Sequence, residues 1–125
     1  MCSDIVLWVG LPGSGKTYHA NKCCDIVIDD ITDLEQLPSP EKLGLNDLGI
    51  TDVNFCDAKT LEKSIKILES IYPDYGISVV YFENDAGKCR KNVLYRNDDR
   101  NVEGTISRFE KIYKPPSSAR KIWSK

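Results

Sequence analysis

The stretch "DIVLWVGLPGSGKT", residues 4–17, limits what this chain can fold into more than any other part of it. "DIVLWV" is short, apolar after its first residue and rich in β-branched types, which reads as a buried strand. The next eight residues fit G-x-x-x-x-G-K-[ST], and the residues after them read as a short helix. Glycines at 10, 13 and 15 let the backbone curl so that successive N–H groups point inward at an anion. The helix that follows adds the positive end of its dipole. In such a loop Lys16 reaches the β- and γ-phosphates of a nucleoside triphosphate, and the Thr17 hydroxyl binds Mg²⁺. Gly10, Leu11, Pro12, Gly13, Ser14, Gly15, Lys16 and Thr17 are therefore the predicted set for ATP and its metal. The strand before and the helix after supply the context that the motif requires.

The rest of the chain alternates in the same way. "KTYHANKCC" is a short helix and "DIVIDD" a second strand closed by acids. Residues 31–49 carry two prolines and four acids before a glycine-punctuated end, and read as a helical turn followed by loop. "ITDVNF" (50–55) is a third short strand, and "ISVVYF" (77–82) is the strongest. Between them Leu61, Ile65, Leu68 and Ile71 recur at helical spacing with Lys and Glu opposite, predicting an amphipathic helix over 57–72. Residues 84–100 and 101–113 read as two more helices. In the second, Val102, Ile106, Phe109 and either Ile112 or Tyr113 mark one face. Strands alternating with helices imply βαβ units and a parallel sheet, with ligands at the carboxyl ends of the strands. Those ends carry Gly10, Asp29 and Asp30, Asn54 and Asp57, and Glu83 and Asp85.

Composition removes several classes. With 125 residues, 41% hydrophobic and 29% charged, the chain is one ordinary globular domain. No apolar run approaches a membrane span and no basic-then-apolar leader opens it, so the expected compartment is cytoplasmic, with no membrane partner. The five cysteines form no C-x-x-C pair and there is one histidine, so they read as free thiols in a reducing compartment. That histidine, His19, reads as packed or solvated. The net charge of −2 conceals an asymmetry: residues 1–85 carry 6 Lys/Arg against 15 Asp/Glu, and residues 86–125 carry 11 against 4. A basic segment can meet a polyanion or serve as the arginine-rich lid of a nucleotide-handling enzyme.

The motif leaves the phosphate acceptor open. No "NKxD" guanine reader is present, which argues against a GTPase, and no apolar run ends in "DE" as in a motor ATPase. Asp29 or Asp30 in "VIDD" either accepts a proton from an attacking hydroxyl or caps the next turn. Asp52 or Asp57 in "ITDVNFCD" either stands on the metal side or serves as a cap or surface acid. Arg96 and Arg100 in "RNDDR" share one face if helical, where they close on phosphates or pair with Asp98 and Asp99.

"GLPGSGKT", then "DD" after strand two, then "RNxxR" followed by a short apolar helix, resembles the kinase domain of phage-type polynucleotide 5′-kinases, in the same order and at similar spacing. The resemblance implies a P-loop NTPase fold of the kinase type: an α/β three-layer sandwich with a small parallel sheet of about four strands and an arginine-bearing helical lid. It implies one domain over 1–114, the lid at about 86–101, and a basic tail over 115–125. It makes Asp29 the base for a 5′-hydroxyl, Lys16 and Thr17 the loop lysine and metal residue, and Arg100 with Arg96 the lid arginines on ATP. One departure is Thr32, where the family carries an arginine for the phosphate of the acceptor strand. The basic tail (Arg120, Lys121, Lys125) is the substitute source of charge.

The sequence therefore predicts an ATP- and Mg²⁺-dependent phosphotransferase. Its predicted acceptor is the 5′-hydroxyl of a nucleic acid, presented as a single-stranded end. Two rivals stand beside it: a small-molecule kinase acting on a nucleoside, nucleotide or other alcohol, which Thr32 favours, and a non-catalytic ATP-binding module.

Overall fold

A computed structural model describes residues 4–29, 37–44, 46–95, 103–116 and 119, with the side chains of Asp29 and Tyr95 left out. In chain order the elements are β1 (Asp4–Val9), α1 (Lys16–Cys23), β2 (Ile26–Asp29), α2 (Pro40–Leu43), β3 (Leu48–Thr51), α3 (Ala58–Ile71), β4 (Gly76–Tyr81), α4 (Ala86–Tyr95) and α5 (Glu103–Glu110). A 3₁₀ turn over Val53–Cys56 joins β3 to α3. The protein is α/β, with one four-stranded sheet in the order β2-β3-β1-β4 and every neighbouring pair parallel.

The apolar run of β1 has a direct structural cause. This strand is paired on both sides, and Ile5, Leu7 and Val9 are fully buried with Trp8 nearly so. An inner parallel strand covered on both faces needs such a run. The helix periodicities hold as well. Leu61 and Leu68 of α3 are buried, with Ile65 and Ile71 packed against the core. The Asp57 carboxylate accepts from the Lys59 amide at 3.0 Å and starts that helix, and Pro73 follows its end. In α5 Ile106 and Phe109 are buried, and the face continues through Tyr113, whose hydroxyl donates to the Val9 and Phe82 carbonyls. Ile112 stays out at 46% exposure, and Val102 lies outside the described residues.

One strand is displaced from its expected place. β3 is Leu48–Thr51, not 50–55, because Asp52 ends it. The Asp52 carboxylate accepts from the Asn54 amide at 2.9 Å and caps the 3₁₀ turn, so "VNF" leaves the sheet. Gly49 hides the strand from a propensity reading, yet a Cβ there would sit 2.9 Å from the Cys24 sulfur. The expected turn in 31–49 is α2, capped by the Ser39 hydroxyl and opened by Pro40.

The topology fixes where a ligand can sit. From β1 the chain crosses to β2 on one side, and from β3 it crosses over β1 to β4 on the other. Right-handed crossovers in opposite directions place α1 and α3 on opposite faces. The adjacent carboxyl ends of β1 and β3 thus diverge and leave a crevice between them, the ligand position of open parallel sheets.

Candidate functional site

The loop Gly10–Gly15 occupies the β1 side of that crevice. It turns back on itself, the Ser14 amide donating to the Leu11 carbonyl at 3.0 Å. Gly13 and Gly15 have φ of +88° and +91°, the left-handed region open to glycine at low cost. Gly10 is required for space: a Cβ there would lie 2.4 Å from the Ser14 hydroxyl oxygen. Leu11 is fully buried and anchors the turn. Gly15 then caps α1 without a side-chain hydrogen bond, and the first turn of that helix carries no acid. An anion at this end would meet the positive end of the helix dipole.

The loop fits a phosphate group on two structural grounds. Its glycines line a cradle that side chains would fill. The Ser14 hydroxyl, in a residue only 2% exposed, has no hydrogen-bond partner among the described residues. A buried hydroxyl left unmatched costs on the order of 1–3 kcal/mol, which a bound oxygen relieves. Lys16 opens α1 and Thr17 follows it, as the motif requires.

Helix α4 holds the loop from behind, which the sequence alone does not reveal. The Asn92 side-chain amide donates to the Gly13 carbonyl at 2.9 Å. The Cys89 carbonyl oxygen lies 2.4 Å from where a Gly13 Cβ would be, and Val93 packs beside it. Asn92→Ala removes one hydrogen bond worth about 1 kcal/mol. If the loop takes ATP as its motif predicts, affinity should fall about fivefold by titration calorimetry, with Asn92→Asp at least as poor because a carboxylate cannot donate.

The acids at the strand ends divide by role. Asp52, 5% exposed, directly follows β3; register pairs Thr51 with Trp8, so it lies beside the start of the loop. Asp57 caps α3, Asp85 accepts from the Lys88 amide at 3.1 Å, and Glu83 pairs with the Lys88 ammonium at 3.0 Å. These last three hold structure. Asp29 closes β2 opposite Thr51, on the same level of the sheet as Trp8. Asp30, Thr32, Arg96, Arg100, Asp98, Asp99 and the tail cations Arg120, Lys121 and Lys125 lie outside the described residues. On either side of residues 96–102, Arg90 of α4 binds Glu103 of α5 at 2.8 Å and Ser107 at 3.2 Å, tying the two helices together.

The cysteines and histidine follow the plainer expectations. Cys23, Cys24, Cys56 and Cys89 are free thiols, and Cys2 lies outside the described residues. Burial pushes Cys56 and Cys89 up to about 12, although the Lys16 ammonium acts on both in the opposite sense. Such thiols are inert at neutral pH. His19 is packed between Tyr18 and Phe82, with ring centroids 5.5 Å from each.

The chain is thus an α/β protein with a glycine loop at the carboxyl edge of a four-stranded parallel sheet. It is 30% identical over 107 residues to Uncharacterized protein R277 of Acanthamoeba polyphaga mimivirus, across 80% of this chain and 78% of that protein, and it belongs to the same family. No family model matches it. Among the described residues no helix is long and apolar enough to cross a membrane.

Proposed function

We propose that this protein is a P-loop phosphotransferase of the kinase type, a three-layer sandwich that moves the γ-phosphate of ATP to a hydroxyl. The observation that carries this reading is the loop: a glycine-turned cradle at a diverging pair of parallel strands, leading into Lys16 and Thr17 on a helix with no side-chain cap. The loop amides and Lys16 would bind and orient the triphosphate. Mg²⁺, held by the Thr17 hydroxyl, would supply neutralisation of charge on the phosphate oxygens. Asp29 would take the hydroxyl proton, and Arg100 with Arg96 would stabilise charge on the β-phosphate side as the arginines of the lid.

The acceptor we propose from the resemblance is the 5′-hydroxyl of a nucleic acid. Purified protein with Mg²⁺ and γ-labelled ATP is offered 5′-hydroxyl DNA and RNA oligomers and, separately, nucleosides and nucleotides. Label on the oligomer 5′ end is the expected result. Asp29→Asn should lower transfer at least about 100-fold while ATP affinity stays unchanged. Full turnover in that variant removes Asp29 as the base. ATP bound with no transfer to any acceptor favours the non-catalytic binding module instead.

The second reading, a small-molecule kinase, is favoured by a specific feature beside Asp52: a cavity of about 160 Å³ whose described lining residues include no cation.

A further inference from the structure

That cavity lies between the end of β3, the 3₁₀ turn and α3. Its walls are of two kinds. Leu37, Ile50, Phe55, Ile67 and Leu68 form an apolar side, whereas Asp52, Asn54, Thr60 and Ser64 bring a carboxylate, an amide and two hydroxyls to it. Phe55 and Leu68 belong to the buried core and Asp52 is nearly inaccessible, so these walls are built into the fold.

Its place matters as much as its lining. Asp52 faces the cavity and also sits next to the start of the loop, since β3 and β1 are neighbours about 5 Å apart. β2, ending in Asp29, flanks β3 on its other side at the same level. A molecule in the cavity is therefore beside β3, the strand that lies between the one leading into the loop and the one ending in Asp29.

We infer that this cavity binds an uncharged, ring-sized alcohol, such as a pentose or the ribose of a nucleoside, and that on the small-molecule reading this alcohol is the phosphoryl acceptor. A ring of this kind has a C–H face for the apolar wall and a hydroxyl edge for the polar one, where the Asn54 side-chain amide donates to the Asp52 carboxylate at 2.9 Å and the Ser64 hydroxyl to the Thr60 carbonyl at 2.9 Å. A cavity of about 150 Å³ accepts a six-membered ring. A phosphate here would meet a buried carboxylate and no described cation, which costs rather than gains energy. The second half of the inference rests on the phosphotransfer reading. In that step the acceptor oxygen bonds to the γ-phosphorus, the bond from that phosphorus to the β–γ bridging oxygen breaks, ADP leaves, and the hydroxyl proton passes to Asp29.

The test separates the two halves. Binding of D-ribose, adenosine, ribose 5-phosphate and a 5′-hydroxyl oligothymidylate is followed by saturation-transfer NMR with a non-hydrolysable ATP analogue present. Label transfer from ATP to each is measured in parallel. Ser64→Leu, which fills the cavity from α3, is expected to weaken ribose and adenosine about tenfold or more and leave ATP affinity unchanged. Thr60→Val, nearly isosteric, is expected to weaken them about three- to tenfold. Failure of both uncharged probes to bind, equal binding by wild type and Ser64→Leu, or a Ser64-dependent preference for the phosphate-bearing probes overturns the pocket. Ser64-dependent binding without label transfer supports the pocket and overturns the phosphotransfer reading alone.

Discussion

Lys16→Ala should lower transfer of the γ-phosphate by about 10³-fold or more, leaving a folded protein with an unchanged thermal midpoint. Lys16 opens α1 at the mouth of the loop and supplies the one side-chain cation of the predicted phosphate set. In the proposed reaction, charge that builds on the phosphate oxygens would be met there by a fixed ammonium, for which water is a poor substitute. The side chain is not part of the apolar core, so its loss removes chemistry and leaves packing intact. A second readout checks that the fold has survived. Burial holds Cys56 and Cys89 up at about 12, so in a variant that stays folded both thiols should remain unreactive toward an alkylating reagent at neutral pH. Transfer within a few-fold of wild type would mean that the loop does not carry the reaction.

The parts of this molecule legible in its sequence are those governed by local chemistry. The run of β1, the periodicity of α3, the cap at Asp57 and the glycine loop depend on neighbours in the chain, and each is present. β3 ends at Thr51, four residues before its expected end, because that end is set by a side chain folding back onto its own backbone, which a hydrophobic pattern does not record. The choice between Ile112 and Tyr113 also needed tertiary information, since Tyr113 is drawn inward by carbonyls of β1 and Phe82. Asn92 gives no signal in "KCRKNVLY". Its partner is the Gly13 carbonyl, nearly eighty positions earlier in the chain. The cavity is invisible for the same reason: Asp52 and Ser64 meet only because α3 packs across the end of β3.

Gly13→Ala should be the most damaging single-methyl change in the protein, because two independent costs fall on one atom. At φ of +88° an L-residue loses about 1–2 kcal/mol relative to glycine. The added Cβ would also stand 2.4 Å from the Cys89 carbonyl oxygen and 3.0 Å from a Val93 methyl. That oxygen belongs to the backbone of α4 and has no rotamer by which to withdraw, so the loop or the helix must shift, at about 1–3 kcal/mol. Together these lower the thermal midpoint by on the order of 10 °C for a domain of this size. The same shift breaks the alignment of the Gly13 carbonyl with Asn92, so ATP binding should fall well beyond the effect of Asn92→Ala. Gly15→Ala is the control. Its φ of +91° carries the same conformational cost, but its nearest contact is an ordinary 3.7 Å to His19. It should therefore lose only the first of the two costs. If calorimetry finds the two variants equally stable, the contact between α4 and the loop is not what holds Gly13 in place. If Gly13→Ala is the weaker by about 1–3 kcal/mol, that contact is part of what shapes the glycine loop.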